Sequence, residues 1–457
     1  MRARVVWWIA PALVVAAIGG GTIGTAGAAD GVPEAGREAQ VAAFLVALDE
    51  VVARARPDGG WVFGTLPGER VRPQTYPLRF AERVAAPFGL ADWDIVVLRS
   101  PGTPAAILSL LTGYRLTGRD RYRETAVRAG DLLVAIQMRS GGWFSEMPVY
   151  GGHPARWFSL TVLRTAIDDD VTPGAIRALL ALWDATGDGR YRAAAERGLA
   201  FLLERQLPGG AWPLVARPPW KQMIWRDFED APTLNDGATT QSIVTLLAGF
   251  RALGRADMLL AARRGGDWIV RAQHAAPQAA WAQQYDEEGA PASARRYERV
   301  ALASWESRYA LDALLALAET TGDLTYCAPV EPAIRWLEHS QLTPGCWARF
   351  YEFETNAPLY FNEQRQAVGS PAEAHQPYDW KGDFGIPDLL GWIRGTAASG
   401  AMRGRIPGDP GACPNPSAAP FDPKTAIDPR HVIAYAARLA TALEPPAPAL
   451  CRVSSGR

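Results

Sequence analysis

Apolar residues recur at helical spacing along most of the chain, and the pattern comes in pairs. The stretches "PAAILSLLTGYRL" and "GAIRALLALWDA" carry Ala, Ile and Leu at three- and four-residue intervals, so each is an amphipathic helix. A Thr-Gly turn follows each. Its glycine can take the left-handed conformation that closes a helix end, and the Asp after it can cap the next one. "RYRETAVRAGDLLVAIQ" and "RYRAAAERGLAFLLERQ" are then second helices. Strand-like alternation is scarce, so the predicted unit is a helical hairpin.

The hairpin repeats. The turn glycines are Gly118, Gly187, Gly254 and Gly322, spaced by 69, 67 and 68 residues. Gln137, Gln206, Gln273 and Gln341 end the second segments at the same intervals. A small-residue loop and a tryptophan follow each time, at Trp143, Trp212, Trp281 and Trp347, and an earlier "GGW" with Trp61 marks a partial unit. Such hairpins either stack as an open solenoid or close into a ring. The longer inserts at 143–171, 212–236, 281–301 and 347–385 share one phase of the repeat and should gather on one rim, where function belongs. The expected class is all-α, an (α/α) toroid of about five to six hairpins forming a single domain over residues 29–400. Residues 401–457 begin Pro/Gly-rich and are expected to wrap the surface. The helix "HVIAYAARLATAL" then completes the ring beside "EAQVAAFLVALDEVVARA".

The N-terminus changes the compartment. Arg2 and Arg4, an apolar run and Ala26-Gly27-Ala28 make the three regions of a signal peptide over residues 1–28. An uncleaved anchor is the alternative reading, but Gly19 to Gly21 and Gly24 interrupt any spanning helix. The expected location is secreted or periplasmic, with no stable membrane insertion after cleavage. Net charge is −1 and becomes −3 without the two leader arginines, so no bulk basic field points to nucleic acid. The four cysteines then read as up to two disulfides, and pairing by proximity joins Cys327 to Cys346 and Cys413 to Cys451. The five histidines show no zinc-ligand spacing. Oligomeric state is left open.

Four rim segments hold polar residues that a scaffold does not require. In "LNDGATT", Asn235 or Asp236 can cap the helix that follows. "SARRYERVALASWES" holds Arg295, Tyr297 and Glu298; "CWARFYEFETNAPLYF" interleaves Arg349 with aromatics; "QPYDWKGD" closes the series. In this order and spacing the segments resemble the blocks of family 10 pectate lyases over roughly residues 170–380. That resemblance implies β-elimination on an acidic polysaccharide of uronic acids, aided by calcium. It implies calcium ligation by Asp236, proton abstraction by Arg295, and substrate binding by Arg349 with Tyr297, Glu298, Trp347 and Tyr351. Chemically, a uronate C5–H is a poor acid until its carboxylate is neutralised. Two departures stand out. "VTPGAI" aligns Thr172 with a family aspartate, leaving Asp168, Asp169 and Asp170 just upstream, and Glu363 falls where the family carries an arginine, with Gln364 and Arg365 after it. A non-catalytic glycan-binding toroid, a uronate C5-epimerase and a glycoside hydrolase on the same ring are the alternatives.

Overall fold

The computed structural model describes residues 34–62, 94–150, 164–218 and 227–394, together with short pieces near 79–87, at 153–154, at 413, within 421–443 and at 450–451. The expected signal peptide and most of the expected surface wrap lie outside the described residues. The helices are α1 (Glu34–Ala53), α2 (Thr103–Thr117), α3 (Asp120–Ile136), α4 (Val171–Thr186), α5 (Gly189–Arg205), α6 (Ala238–Leu253), α7 (Ala256–Ala272), α8 (Ser304–Thr321), α9 (Val330–His339), α10 (Ile386–Arg394) and α11 (Pro429–Ala442).

Helices α2 and α3, α4 and α5, and α6 and α7 pair as hairpins, and α8 with α9 makes the fourth. The first members α2, α4, α6 and α8 pack each on the next and form the inner circle. The second members α3, α5 and α7 stack outside them. At the open side, α10 packs on α8, while α11 packs on both α1 and α2, so the two ends of the chain share a hairpin. This is an (α/α) toroid.

Each sequence landmark has a physical task. Gly118, Gly187, Gly254 and Gly322 are left-handed, with φ of 67°, 73°, 68° and 70°, and each amide donates back to the fourth residue before it. The tryptophans are buried, and each indole N–H donates to a carbonyl of the preceding helix. The acceptors are Val51, Leu133, Leu202, Ile269 and Leu337, at 2.6 to 2.8 Å. The backbone N–H groups of Trp143, Trp212 and Trp281 donate to the hydroxyls of Thr172, Thr239 and Ser307 on the next inner helix, at 3.0, 2.9 and 3.0 Å. The amides of Gln137, Gln206 and Gln273 each donate both to their own loop and to the next unit, at Ala194, Ala261 and Pro329. Gln341 departs: its helix ends at His339, it lies in a short strand, and its side chain accepts only from Gly345 N–H.

The cysteine pairing by proximity is corrected. The disulfides are Cys327–Cys451 and Cys346–Cys413, spanning 124 and 67 residues. They tie the fourth unit covalently to the C-terminal segment whose helix α11 packs on α1 and α2, a long-range link that linear proximity has no means of revealing. Among the described residues no helix is long and apolar enough to cross a membrane.

Candidate active site

The rim inserts are zipped together by short antiparallel pairs. Residues 165–166 pair with 215–216, Thr233 bridges Gln284, Ala282 bridges Leu302, and Leu302–Ala303 pairs with Phe350–Tyr351. Single backbone bonds continue the series: Ser100 N–H donates to Asp169 O at 2.9 Å, and Asp169 N–H donates to Asp236 O at 2.9 Å. Ser100, Asp169, Asp236 and Ser304 follow one another at 69, 67 and 68 residues, the intervals of the turn glycines. They are the same position in four successive units.

That register corrects the alignment at Thr172. Thr172 is the equivalent of Thr239 and bonds the tryptophan of its loop, whereas the equivalent of Asp236 is Asp169, and that of Asn235 is Asp168. The backbone agrees. Asp169 and Asp170 have φ of 52° and 56°, and Asp236 and Gly237 have 49° and 75°, so two left-handed residues in a row open both α4 and α6. The helix-cap reading of Asn235 and Asp236 is also corrected. The N-cap of α6 is Gly237, no side chain caps it, and both polar side-chain atoms of Asn235 are buried without a partner. Asp236 is free to face the rim.

Asp236 does so beside two arginines. Its Oδ2 lies 3.6 Å from Arg295 Nη2 and its Oδ1 4.0 Å from Arg349 Nη2. Arg295 begins a tight turn closed by Glu298 N–H donating to Arg295 O at 2.9 Å. Glu298 is buried and accepts from Arg295 N at 3.1 Å, Arg295 Nη1 at 2.8 Å, Tyr378 OH at 2.9 Å and Gln283 Nε2 at 3.3 Å. Glu298 thus anchors the guanidinium rather than facing solvent. Burial opposes its charge, but Arg295 and Arg349 outweigh burial and hold it below the ordinary glutamate range. Burial likewise works to lower Arg295, and the Glu298 and Asp236 charges reverse this, so Arg295 is held protonated more firmly than a free arginine.

Arg349 lies deeper. It is 3% exposed, donates to Glu306 Oε1 at 2.9 Å, and its guanidinium sits 4.6 Å from the Trp305 ring and 4.7 Å from the Tyr378 ring. It forms the floor under Asp236. Trp347 and Tyr351, expected on substrate, are each 1% exposed. The Trp347 indole is spent on Leu337 O, and the Tyr351 hydroxyl accepts from Ala348 N and donates to Ser340 O. They pack the fourth loop, as Trp281 and Tyr285 pack the third, and the expectation for both is corrected. Tyr297 remains at the surface of the site, stacked on His375 at 3.8 Å, and His375 pairs with Glu363. The carboxylate at position 363 is therefore engaged by a histidine that the sequence reading left aside.

On the opposite wall, Arg164 Nη2 reaches both Glu229 at 2.9 Å and Asp168 at 3.7 Å. Burial, followed by the charges of Asp236 and the neighbouring acids, raises Asp168 and Asp169 above the ordinary aspartate range. Asp169 makes no side-chain hydrogen bond or ion pair with a described residue. Asp169 is a hard oxygen donor without such a partner, and Asp168 shares Arg164 with Glu229, a donor set that fits a divalent cation of the calcium type. Among the described residues no group of three or more His, Cys, Asp or Glu forms a ready cage, so water and ligand oxygens would complete the shell. Motif reading named Asp168 and Asp169 only as acids upstream of Thr172, where the repeat interval was the signal for their place, and it missed Glu306 and Tyr378.

Several solved structures are similar to the chain. A family 10 polysaccharide lyase from Cellvibrio cellulosa is 19% identical, with 64% of this chain and 96% of that chain covered and a TM-score of 0.48. An aspartate-to-alanine mutant of that enzyme, in complex with a trigalacturonic acid, matches at 19% over 64% and 97%, with a TM-score of 0.48. A sugar epimerase from a ruminal bacterium is 14% identical, covering 69% of this chain and 75% of that one, with a TM-score of 0.50. At such identities these likenesses concern the fold. No curated protein matches the chain. The model of pectic acid lyases matches residues 156–387, half of the chain's length and all of the site just described except Ser100. On that match, this polysaccharide-acting enzyme belongs to the pectic acid lyase family.

Proposed function

We propose that the protein is an exported, calcium-assisted lyase that cleaves uronic-acid polymers such as pectate by β-elimination. One observation carries the reading: Asp169 and Asp236, equivalent positions of adjacent repeats, are joined by a 2.9 Å backbone bond, and Arg295 stands 3.6 Å from Asp236. Acid and guanidinium are thus presented side by side to a sugar that carries both an acidic C–H and a carboxylate.

In the reaction a base removes the proton from C5 of the uronate. The electron pair forms the C4=C5 double bond, and the C4–O glycosidic bond breaks with the leaving sugar oxygen taking a proton. Arg295 is the proton acceptor in this proposal, held in place by Glu298. Bound between Asp236 and the 168–169 turn, calcium would neutralise these carboxylates together with that of the substrate, which acidifies C5 and removes the share of charge by which Asp236 keeps Arg295 protonated, the larger share staying with Glu298. Arg349, itself held by Glu306, lies under Asp236, and Tyr297 offers an aromatic face to a sugar ring.

The test is ultraviolet absorbance of the unsaturated product. Incubation with a panel of uronate polymers and calcium should raise it, chelation should stop it, and Arg295→Ala should abolish it while the variant still melts cooperatively. Reducing ends released without absorbance would replace elimination by hydrolysis, and proton exchange at C5 without chain cleavage would indicate an epimerase.

A further inference from the structure

The turn that presents Asp168 and Asp169 is built differently from its counterpart in the next unit. After Asp236 the second left-handed residue is Gly237, where no side chain has to be housed. After Asp169 it is Asp170, 7% exposed, at φ 56°. Aspartate enters this region more readily than most residues, but its carboxylate then has to be placed in the protein interior.

Two further differences accommodate it. Asp170 Oδ2 lies 2.9 Å from where a Cβ on Gly174 would stand, so the carboxylate fills the space that glycine leaves on the first turn of α4. In the next unit the exchange is reversed: the space above Gly237 is filled by Gln241 Cγ, 2.9 Å from where a Cβ on that glycine would stand. Seven residues beyond Asp170, Arg177 donates to Asp170 Oδ2 at 2.6 Å and to Thr245 Oγ1 on α6 at 2.6 Å, and is 9% exposed. The equivalent of Arg177 is Val244, which lacks any polar atom.

We infer that Asp170 and Arg177 are positioning residues. Together they clamp the 168–170 turn in the conformation its neighbour obtains from glycine, and so hold Asp168 and Asp169 against Asp236. The inference rests on the proposed site. Arg177 touches neither substrate nor cation, and acts through the turn and through α6.

The experiment compares Arg177→Met with the double variant Asp170→Gly/Arg177→Val, which gives this unit the residues the next one already uses. Hydrogen exchange of the peptide over residues 167–173 is the first readout and needs no activity. It should quicken at least tenfold in Arg177→Met, because the Asp169 N–H bond to Asp236 O opens, and return close to the parent rate in the double variant. The calcium-induced rise in melting temperature should shrink and recover in parallel. On uronate polymer, kcat should fall about tenfold with KM changed less than twofold, and should recover in the double variant. Unchanged exchange over 167–173 in Arg177→Met, or a folded double variant that fails to restore it, overturns the clamp. If the exchange behaves as expected while the parent protein shows no elimination, the clamp stands and the lyase reading falls.

Discussion

Glu298→Gln separates a carboxylate that anchors the reacting guanidinium from one that merely fills space. The substitution keeps shape and removes charge. In the parent the two carboxylate oxygens accept from four donors, two of them on Arg295 at 3.1 and 2.8 Å. A glutamine oxygen can serve at most two, and the new NH2 group confronts the remaining donors. Removing one partner of a buried ion pair costs about 3–5 kcal/mol. Arg295 is 33% exposed and keeps Asp236 at 3.6 Å, so water and the second carboxylate recover part of this. We expect a loss near the upper end of a charged hydrogen bond, about 2–3 kcal/mol, read as a lower urea midpoint at unchanged m-value. Freed from its turn, Arg295 no longer points at one place, and displacement of a reacting group by about 1 Å costs on the order of 100-fold. Initial rates of product absorbance should show kcat down ~10- to 100-fold with KM little altered. Stability lowered by the expected amount with kcat intact refutes the anchoring role, because a guanidinium that works equally well without Glu298 was never held by it.

Burial and mutual repulsion raise Asp168 to about 6 and Asp169 to about 8, whereas an unfolded aspartate titrates near pH 4. Between about pH 4 and about pH 8 the native chain therefore binds more protons than the unfolded one, and calcium-free stability should fall as pH rises through that window. Calcium has to displace those protons, so its stabilisation should be larger at about pH 8 than at about pH 5; Asp169→Asn should flatten both trends, and a calcium effect independent of pH would speak against ligation there. Gln206→Ala removes two donated bonds, to Gly210 O of its own loop at 2.8 Å and to Ala261 O of the next unit at 2.8 Å, besides the exposed bond it accepts from Arg264 Nη2. At about 1 kcal/mol each it should lower stability by ~2 kcal/mol and leave kcat unchanged below the transition, as denaturant titration and rate measurements check. Non-reducing peptide mapping should recover Cys327–Cys451 and Cys346–Cys413 linked peptides, and the Cys327→Ser/Cys451→Ser pair should lose about 3–5 kcal/mol for its long loop; the proximity pairs in that map would contradict the long-range link.

The fold was legible because each unit repeats its punctuation. A glycine that ends a helix, a glutamine that bridges two units and a tryptophan that seals a loop all need particular residue types, so the 69-, 67- and 68-residue intervals survive in one sequence. The site was legible where it had a motif. Arg295, Glu298 and Asp236 do converge, and Arg349 lies beneath them. The burial of Trp347 and Tyr351 was not legible in the motif that contains them, although the same repeat logic applied: they stand 66 residues after Trp281 and Tyr285, which have the same bonds. Thr172 was misplaced because matching the Gly174-Ala175 pair to Gly237-Ala238 shifts the register by four, while the tryptophan–hydroxyl bond fixes it at 67. The disulfides depend on where the chain's ends meet, and no local pattern encodes that.

The arrangement also explains why chemistry sits on one sector of the rim. Equivalent positions in a ring lie side by side, so any residue type repeated in neighbouring units becomes a cluster. At the position of Asp236 the four units read Ser100, Asp169, Asp236 and Ser304: carboxylates in the two central units, hydroxyls on either side. One acid alone would be shared between Arg295 and Arg349, as Asp236 is. Two adjacent acids exceed what Arg295 can neutralise, and the excess negative charge is what a divalent cation and a sugar carboxylate could share. Ser304 cannot extend the cluster, since its hydroxyl donates to Ala348 O at 2.6 Å and its amide to Arg349 O at 2.9 Å, which fixes the segment carrying Arg349. The same position thus supplies charge in two units and a backbone tether in the next. That change is sufficient to set an arginine beside a pair of aspartates without any new element of structure.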